Sequence, residues 1–181
     1  MLKYLYILFF LIFITNGNTS NKDKIIENLK NTRNLDFNFE QNINGKIENG
    51  NCTIEYPKKI FCRYARSSKI LVSNGKSLVI KTLVSYSRYS LDRTPLGLIL
   101  DKDFLINKIK FSEERIIDES YINYTIKEND YEINIFFNKT NFDLIGWQNT
   151  DVYQNFNITF LSSIQKNRII LKDIFKLPNQ N

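Results

Sequence analysis

From Leu35 onward the chain alternates. Leu35, Phe37, Phe39 and Gln41 are separated by Asp36, Asn38 and Glu40, and a period of two is the pattern of a strand with one buried face. A slip of one residue would turn every large side chain to water, so the pattern fixes both the element and its facing. Similar segments follow almost to the end. Cys52, Ile54 and Tyr56 alternate with Thr53 and Glu55, Pro57-Lys58-Lys59 breaks the run, and Ile60 to Tyr64 resumes it. Ile70 to Val72 and Leu78 to Thr82 flank Ser73-Asn74-Gly75-Lys76, where Asn-Gly predicts a hairpin. Further strands are expected at Ile109 to Ile117, Tyr121 to Lys127, Tyr131 to Phe137, Leu144 to Asn149, Phe156 to Leu161 and Arg168 to Leu171. Short consecutive strands joined by tight turns predict a mainly β fold, an antiparallel meander that is open or partly closed into a barrel.

Three segments leave this period. Ser20-Asn21-Lys22-Asp23 can cap a helix start, and Ile25, Ile26 and Leu29 recur at helical spacing, so a helix is expected over Asp23 to Arg33. Thr94-Pro95-Leu96 places Pro at the first position of a second helix. After Asp101-Lys102-Asp103, Phe104-Leu105-Ile106 forms a third, short one. Leu96, Leu98, Ile99, Leu100, Phe104, Leu105 and Ile106 make this insert too apolar to stand in water. It must cover something, either as a fixed plug or as a lid over the mouth of a half-barrel. Gly97 weakens a helix interior by about 1 kcal/mol relative to Ala and suits a mobile piece.

The first residues read as an export signal. Lys3 supplies a positive start, Leu5 to Ile14 is apolar, and Thr15-Asn16-Gly17-Asn18 follows. The apolar stretch is about half the roughly 20 residues that cross a bilayer. Cleavage is expected after Gly17, leaving residues 18–181 as one domain. No Cys lies near that site to carry a lipid, so a soluble exported product is expected. The formal charge of +6 falls to +5 with loss of Lys3, a modest excess with no Lys/Arg block and no nucleic-acid motif.

His is absent. That removes Ser-His and Cys-His nucleophile pairs and every His-ligated metal site, so neither an enzyme nor a metal or other cofactor is expected. The two cysteines, Cys52 and Cys62, flank Pro57 almost symmetrically with the same facing. In an oxidising compartment they can bond across adjacent strands, and two buried thiols are the alternative.

The residues assigned to the inner face are large: Phe37, Phe39, Ile54, Ile80, Tyr131, Ile133, Ile135, Trp147, Phe156, Ile158 and Phe160. They either fill the sheet's concave side as a solid core or line an apolar cavity beneath the helices. Periodicity leaves both open.

Several stretches together resemble one family. They are the Phe37-x-Phe39-x-Gln41 strand and the run from Gly50 through Cys52, Ile54, Tyr56 and Pro57-Lys58-Lys59 to Tyr64 and Leu71-Val72-Ser73-Asn74-Gly75. Thr94-Pro95-Leu96 leading to Ile99-Leu100, then Leu144, Gly146, Trp147 and Asp151, and finally Phe175 and Pro178 continue the series. In order and spacing they are similar to the LolA family of outer-membrane lipoprotein carriers. The resemblance implies an incurved, unclosed antiparallel β-barrel with a lid of short helices and a hydrophobic cavity for lipoprotein acyl chains. It implies a monomer that shuttles acylated lipoproteins from an inner-membrane ABC transporter to an outer-membrane receptor. The family's arginine before the proline, which bonds the closed lid, is replaced by Tyr56. The Tyr56 hydroxyl is the candidate latch, with Arg63, Arg66, Arg88 and Arg93 as alternatives. Competing readings are a lipid-anchored outer-membrane acceptor of related fold and a periplasmic sensor or protein-binding module with a solid core.

Overall fold

The computed structural model describes residues 19–128, 130–150, 155–171 and 173–180. The expected export signal and Asp151 lie outside them. Helix α1 spans Asn21–Asn31 and buries Ile25, Ile26 and Leu29. Its start is the expected one, the Ser20 hydroxyl accepting the Asp23 N–H at 3.1 Å. Six strands follow: β1 (Asn34–Ile43), β2 (Lys46–Glu55), β3 (Lys59–Tyr64), β4 (Ile70–Asn74), β5 (Ser77–Lys81) and β6 (Tyr86–Ser90). A 3-10 turn at Leu91–Arg93 leads into α2 (Pro95–Ile99) and α3 (Lys102–Phe111). Five more strands complete the order: β7 (Glu114–Ile117), β8 (Tyr121–Glu128), β9 (Tyr131–Asn138), β10 (Leu144–Thr150) and β11 (Phe156–Lys166).

Among the described residues, the eleven strands form one sheet in the order β6-β5-β4-β3-β2-β1-β11-β10-β9-β8-β7. Every pairing is antiparallel. The edge strands β6 and β7 are not paired with one another, so the sheet is an incurved, unclosed half-barrel. The two halves of the chain meet where β1 pairs β11. Between β4 and β5 the turn requires Gly75, whose φ is +95°.

The structure differs from the sequence expectation at four elements. Ile109 belongs to α3, and the strand expected from there is only Glu114–Ile117. Asp101 caps α3 by accepting the Phe104 N–H at 3.0 Å, and Leu105, Ile106 and Ile109 recur at helical spacing, extending the helix to ten residues. Strand β6, Tyr-Ser-Arg-Tyr-Ser, has no apolar alternation to announce it and is held by its ladder to β5. Residues 168–171 are not a strand. Instead the C-terminal segment crosses the convex face. The Lys59 ammonium lies 5.8 Å from the Phe175 ring centre, and Lys81 Nζ donates to the Asn179 carbonyl at 2.6 Å. Val72 and Val79 face this outer side in register yet are almost fully buried.

The concave side has two regions. Beneath α1 and α3, Ile122, Tyr124, Ile126, Ile133, Ile135 and Phe137 pack into a solid core. Asn21 of α1 bonds Glu114 of β7 at 2.9 Å, and that carboxylate also accepts from the Tyr124 hydroxyl at 2.8 Å. Between β1–β5 on one side and β10–β11 on the other, the filling is incomplete.

Candidate functional site

Strand parity decides what faces the unfilled region. Along β1, Phe37, Phe39, Gln41 and Ile43 point inward, and the partners Cys52, Cys62, Tyr64, Leu71 and Ile80 continue the same face across β2 to β5. Trp147 and Asn149 of β10 and Asn157 and Thr159 of β11 form the opposite wall, and Thr94, Pro95, Leu96 and Ile99 lie across it. The cavity volume is about 280 Å³, near the lower end of the roughly 300–1,000 Å³ usual for small-molecule sites. Cys52 and Cys62 are opposite one another in the β2–β3 ladder and are bonded, with Cα atoms 4.1 Å apart. The disulfide thus sits in the cavity wall.

Of the residues expected on this wall, Phe37, Phe39, Ile80 and Trp147 are there. Ile54, Ile133 and Ile135 are not; they are fully buried in the solid core. Phe156, Ile158 and Phe160 face the other way. The register Gln41↔Thr159 and Trp147↔Thr159 turns Thr159 inward and its neighbours outward. Phe156 and Phe160 are 45% and 42% exposed. Phe160 stacks on Phe136 of β9 at 6.0 Å, and Phe136 meets Tyr121 edge-on at 5.7 Å, an aromatic row on the convex face. The largest side chains of β11 thus find their packing outside the cavity.

The insert over the cavity is α2 alone. Leu96 and Ile99 reach the cavity, Leu98 packs against the core, and Leu100 is fully buried. Phe104 and Leu105 belong to α3, which packs against α1 and the solid core, so they do not cover the mouth. Thr94 caps α2 by accepting the Gly97 N–H at 3.2 Å. Gly97 serves close approach: a Cβ there would stand 2.3 Å from the Leu91 carbonyl oxygen.

The expected latch makes no hydrogen bond to the insert. The Tyr56 hydroxyl is buried with no hydrogen-bond partner among the described residues, and burial pushes its pKa up. Its ring lies beneath the ammonium of Lys102, the first residue of α3, at 5.6 Å. Among the alternatives, Arg63 stacks over Phe61 at 5.2 Å and Arg88 bonds Ser77 at 2.9 Å. Lys58, two residues beyond Tyr56, holds both ends of the insert. Its N–H donates to the Leu100 carbonyl at 3.0 Å. Its ammonium lies 2.9 Å from Asp92 and 3.3 Å from Asp101. The hydrogen bond to Asp92, joined by Asp101, raises the Lys58 pKa above the ordinary lysine value against the opposing effect of partial burial. Tyr131, expected on the inner face, packs against the core outside the cavity lining, and its hydroxyl donates to the Arg93 carbonyl at 2.9 Å.

The far end of the cavity carries polar groups beside Ile43. Gln41 donates to Asn157 at 2.9 Å and accepts from the Tyr64 hydroxyl at 3.3 Å. Burial and the nearby Glu48 carboxylate push the Tyr64 pKa up. Lys69 pairs with Glu48 at 2.5 Å and lies 3.9 Å from the Tyr64 ring centre. Burial would raise the Glu48 pKa, but its bonds to Lys69 and Lys46 outweigh that and hold it below the ordinary value.

The family model for the outer membrane lipoprotein carrier protein LolA matches residues 22–178. This chain belongs to the LolA family. Among solved structures, a LolA superfamily protein from Nitrosomonas europaea is 10% identical with a TM-score of 0.44, covering 86% of this chain and 97% of that one. A DUF1329 family protein from Desulfovibrio piger is 9% identical with a TM-score of 0.46, covering 86% and 95%. The MucA/MucB complex structure from Pseudomonas aeruginosa matches at 9% identity with a TM-score of 0.42, covering 87% of this chain and 61% of that one. Comparison with curated proteins gives no match. In this LolA family member, Lys58 and the polar end of the cavity escape a reading tuned to apolar alternation. Lys58 stands beside a strand break, where the only sequence signal is a lysine next to proline.

Proposed function

We propose that this protein is a periplasmic carrier that binds the acyl chains of lipoproteins in the cavity beneath α2. In this reading it takes them from an inner-membrane ABC transporter and passes them to an outer-membrane receptor. The observation that carries the reading is the cavity itself. Aromatic and aliphatic side chains of β1, β3–β5 and β10 face it, and α2 lies over it with Leu96 and Ile99, in a chain that matches the LolA family over residues 22–178. Each methylene moved from water to such a wall gains about 0.8 kcal/mol, so a long-chain anchor needs cover to cross an aqueous space. An apolar wall grips without strong directional bonds, and a receptor of greater affinity can draw the chain away. No group on the wall needs to react.

The test is mass spectrometry of protein recovered under native conditions from its own periplasm. Co-purifying acylated protein or lipid, lost in a folded Leu96→Glu variant, is the expected result. Protein that never carries acyl material, with or without the substitution, would overturn the reading.

A further inference from the structure

The cavity lining gains polar side chains toward one end, on β1, β10 and β11. Beyond Phe37 and Phe39 come Gln41 and then Ile43 on β1, Asn149 follows Trp147 on β10, and β11, running the other way, places Thr159 and Asn157 beyond the buried Leu161. The Tyr64 hydroxyl of β3 donates to Gln41 from the level of Phe39. Gln41 faces Thr159, and Asn157 faces Asn149, so these four occupy adjacent places on one wall. Thr159 is 3% exposed and its hydroxyl has no hydrogen-bond partner among the described residues. A buried hydroxyl left unpaired is costly, and native structures avoid it unless a ligand or water completes it. The cation nearest this end, Lys69, is already engaged by Glu48 at 2.5 Å. What the wall offers is neutral: a hydroxyl and carboxamides.

We infer that this end of the cavity is a subsite for the neutral carbonyl linkage, ester or amide, that joins an acyl chain to its headgroup, with the Thr159 hydroxyl as donor. The inference rests on the acyl-carrier reading and adds an orientation to it. The hydrocarbon runs under α2 toward Phe37, and the linkage rests at the rim near Asn157. A cavity built only of hydrocarbon would hold the chain either way round. This one distinguishes its ends, which sets the headgroup, and whatever it carries, outside the barrel.

The experiment is displacement of a bound environment-sensitive dye by three chain-matched probes: methyl dodecanoate, dodecanoate and tridecane. The wild type is expected to favour the ester over the alkane. Thr159→Val should lower that ester-to-alkane ratio roughly 2- to 10-fold, the worth of one net hydrogen bond, and Thr159→Ser should restore it. Far-UV circular dichroism checks the fold of each variant. Equal binding of ester and alkane, unchanged by Thr159→Val, would overturn the subsite while the acyl cavity stands. Preference for the carboxylate over the ester would overturn the neutral class and point to Lys69. Failure of all three probes to displace the dye would overturn the acyl-carrier reading, and the subsite with it.

Discussion

Replacing Gly97 with Ala separates two roles for the insert over the cavity. Were Gly97 present for mobility, Ala would strengthen α2 by about 1 kcal/mol through helix propensity. The packing argues the opposite. The new Cβ would lie 2.3 Å from the Leu91 carbonyl oxygen and 3.0 Å from its carbon. That carbonyl cannot swing aside freely, because it accepts both the Thr94 N–H at 3.0 Å and the Thr94 hydroxyl at 2.7 Å. Overpacking of this kind costs about 1–3 kcal/mol, so the net effect after the propensity gain is roughly 1 kcal/mol of destabilisation. Calorimetry should show Tm lower by about 2–4 °C, the shift typical of 1 kcal/mol in a chain of this size. Amide exchange at Leu100, whose N–H donates to Leu96 at 2.9 Å, should quicken as α2 lifts from its seat. A higher Tm with slower exchange at Leu100 would refute the packing argument and restore the flexible glycine.

Lys58→Met removes the ammonium from Asp92 and Asp101 but keeps the backbone bond to Leu100. Partly exposed pairs are worth up to about 1 kcal/mol, so exchange at Leu100 should rise roughly fivefold. The Lys58 pKa is raised in the folded protein, so its contribution is complete below the unfolded lysine value of about 10.4. It is lost as pH climbs through the higher folded value. Tm curves of wild type and Lys58→Met should run apart at neutral pH and converge only in strong alkali. The Cys52→Ala, Cys62→Ala double variant loses the wall disulfide and should unfold with about 2–4 kcal/mol less stability in urea titration. Phe160→Ser removes a ring stacked on Phe136 outside the cavity. It should lower stability by about 0.5–1.5 kcal/mol beyond lost area and leave dye displacement by acyl probes unaltered.

The strands of the first half were legible because alternation and burial coincide there. Phe37, Phe39, Cys52, Ile54, Ile60 and Cys62 are all buried on one face. In β11 they part company: the big residues Phe156 and Phe160 lie outward and small polar Thr159 lies inward. Size predicts the inner face only where the interior is a filled apolar core, and the wall here turns polar. The convex face offers aromatic partners in its place. Strand β6 and the exact reach of α3 were hidden for a related reason, since ladder pairing and capping by Asp101 override a weak local pattern. The antiparallel sheet followed from alternation, its unclosed half-barrel form from the family resemblance, and a covering helix from Thr94-Pro95 and the apolar insert. The latch did not: Tyr56 turns into the core, and Lys58, with φ of +64° in the turn after Pro57, points to the insert.

A palmitoylated lipopeptide bearing a photoreactive diazirine near the chain terminus tests the central claim most directly. After irradiation and digestion, the account predicts crosslinks at Phe37, Phe39 and Leu96, the walls of the cavity and its cover. Crosslinks confined to the outer aromatic row of Tyr121, Phe136 and Phe160, with none inside, would contradict it.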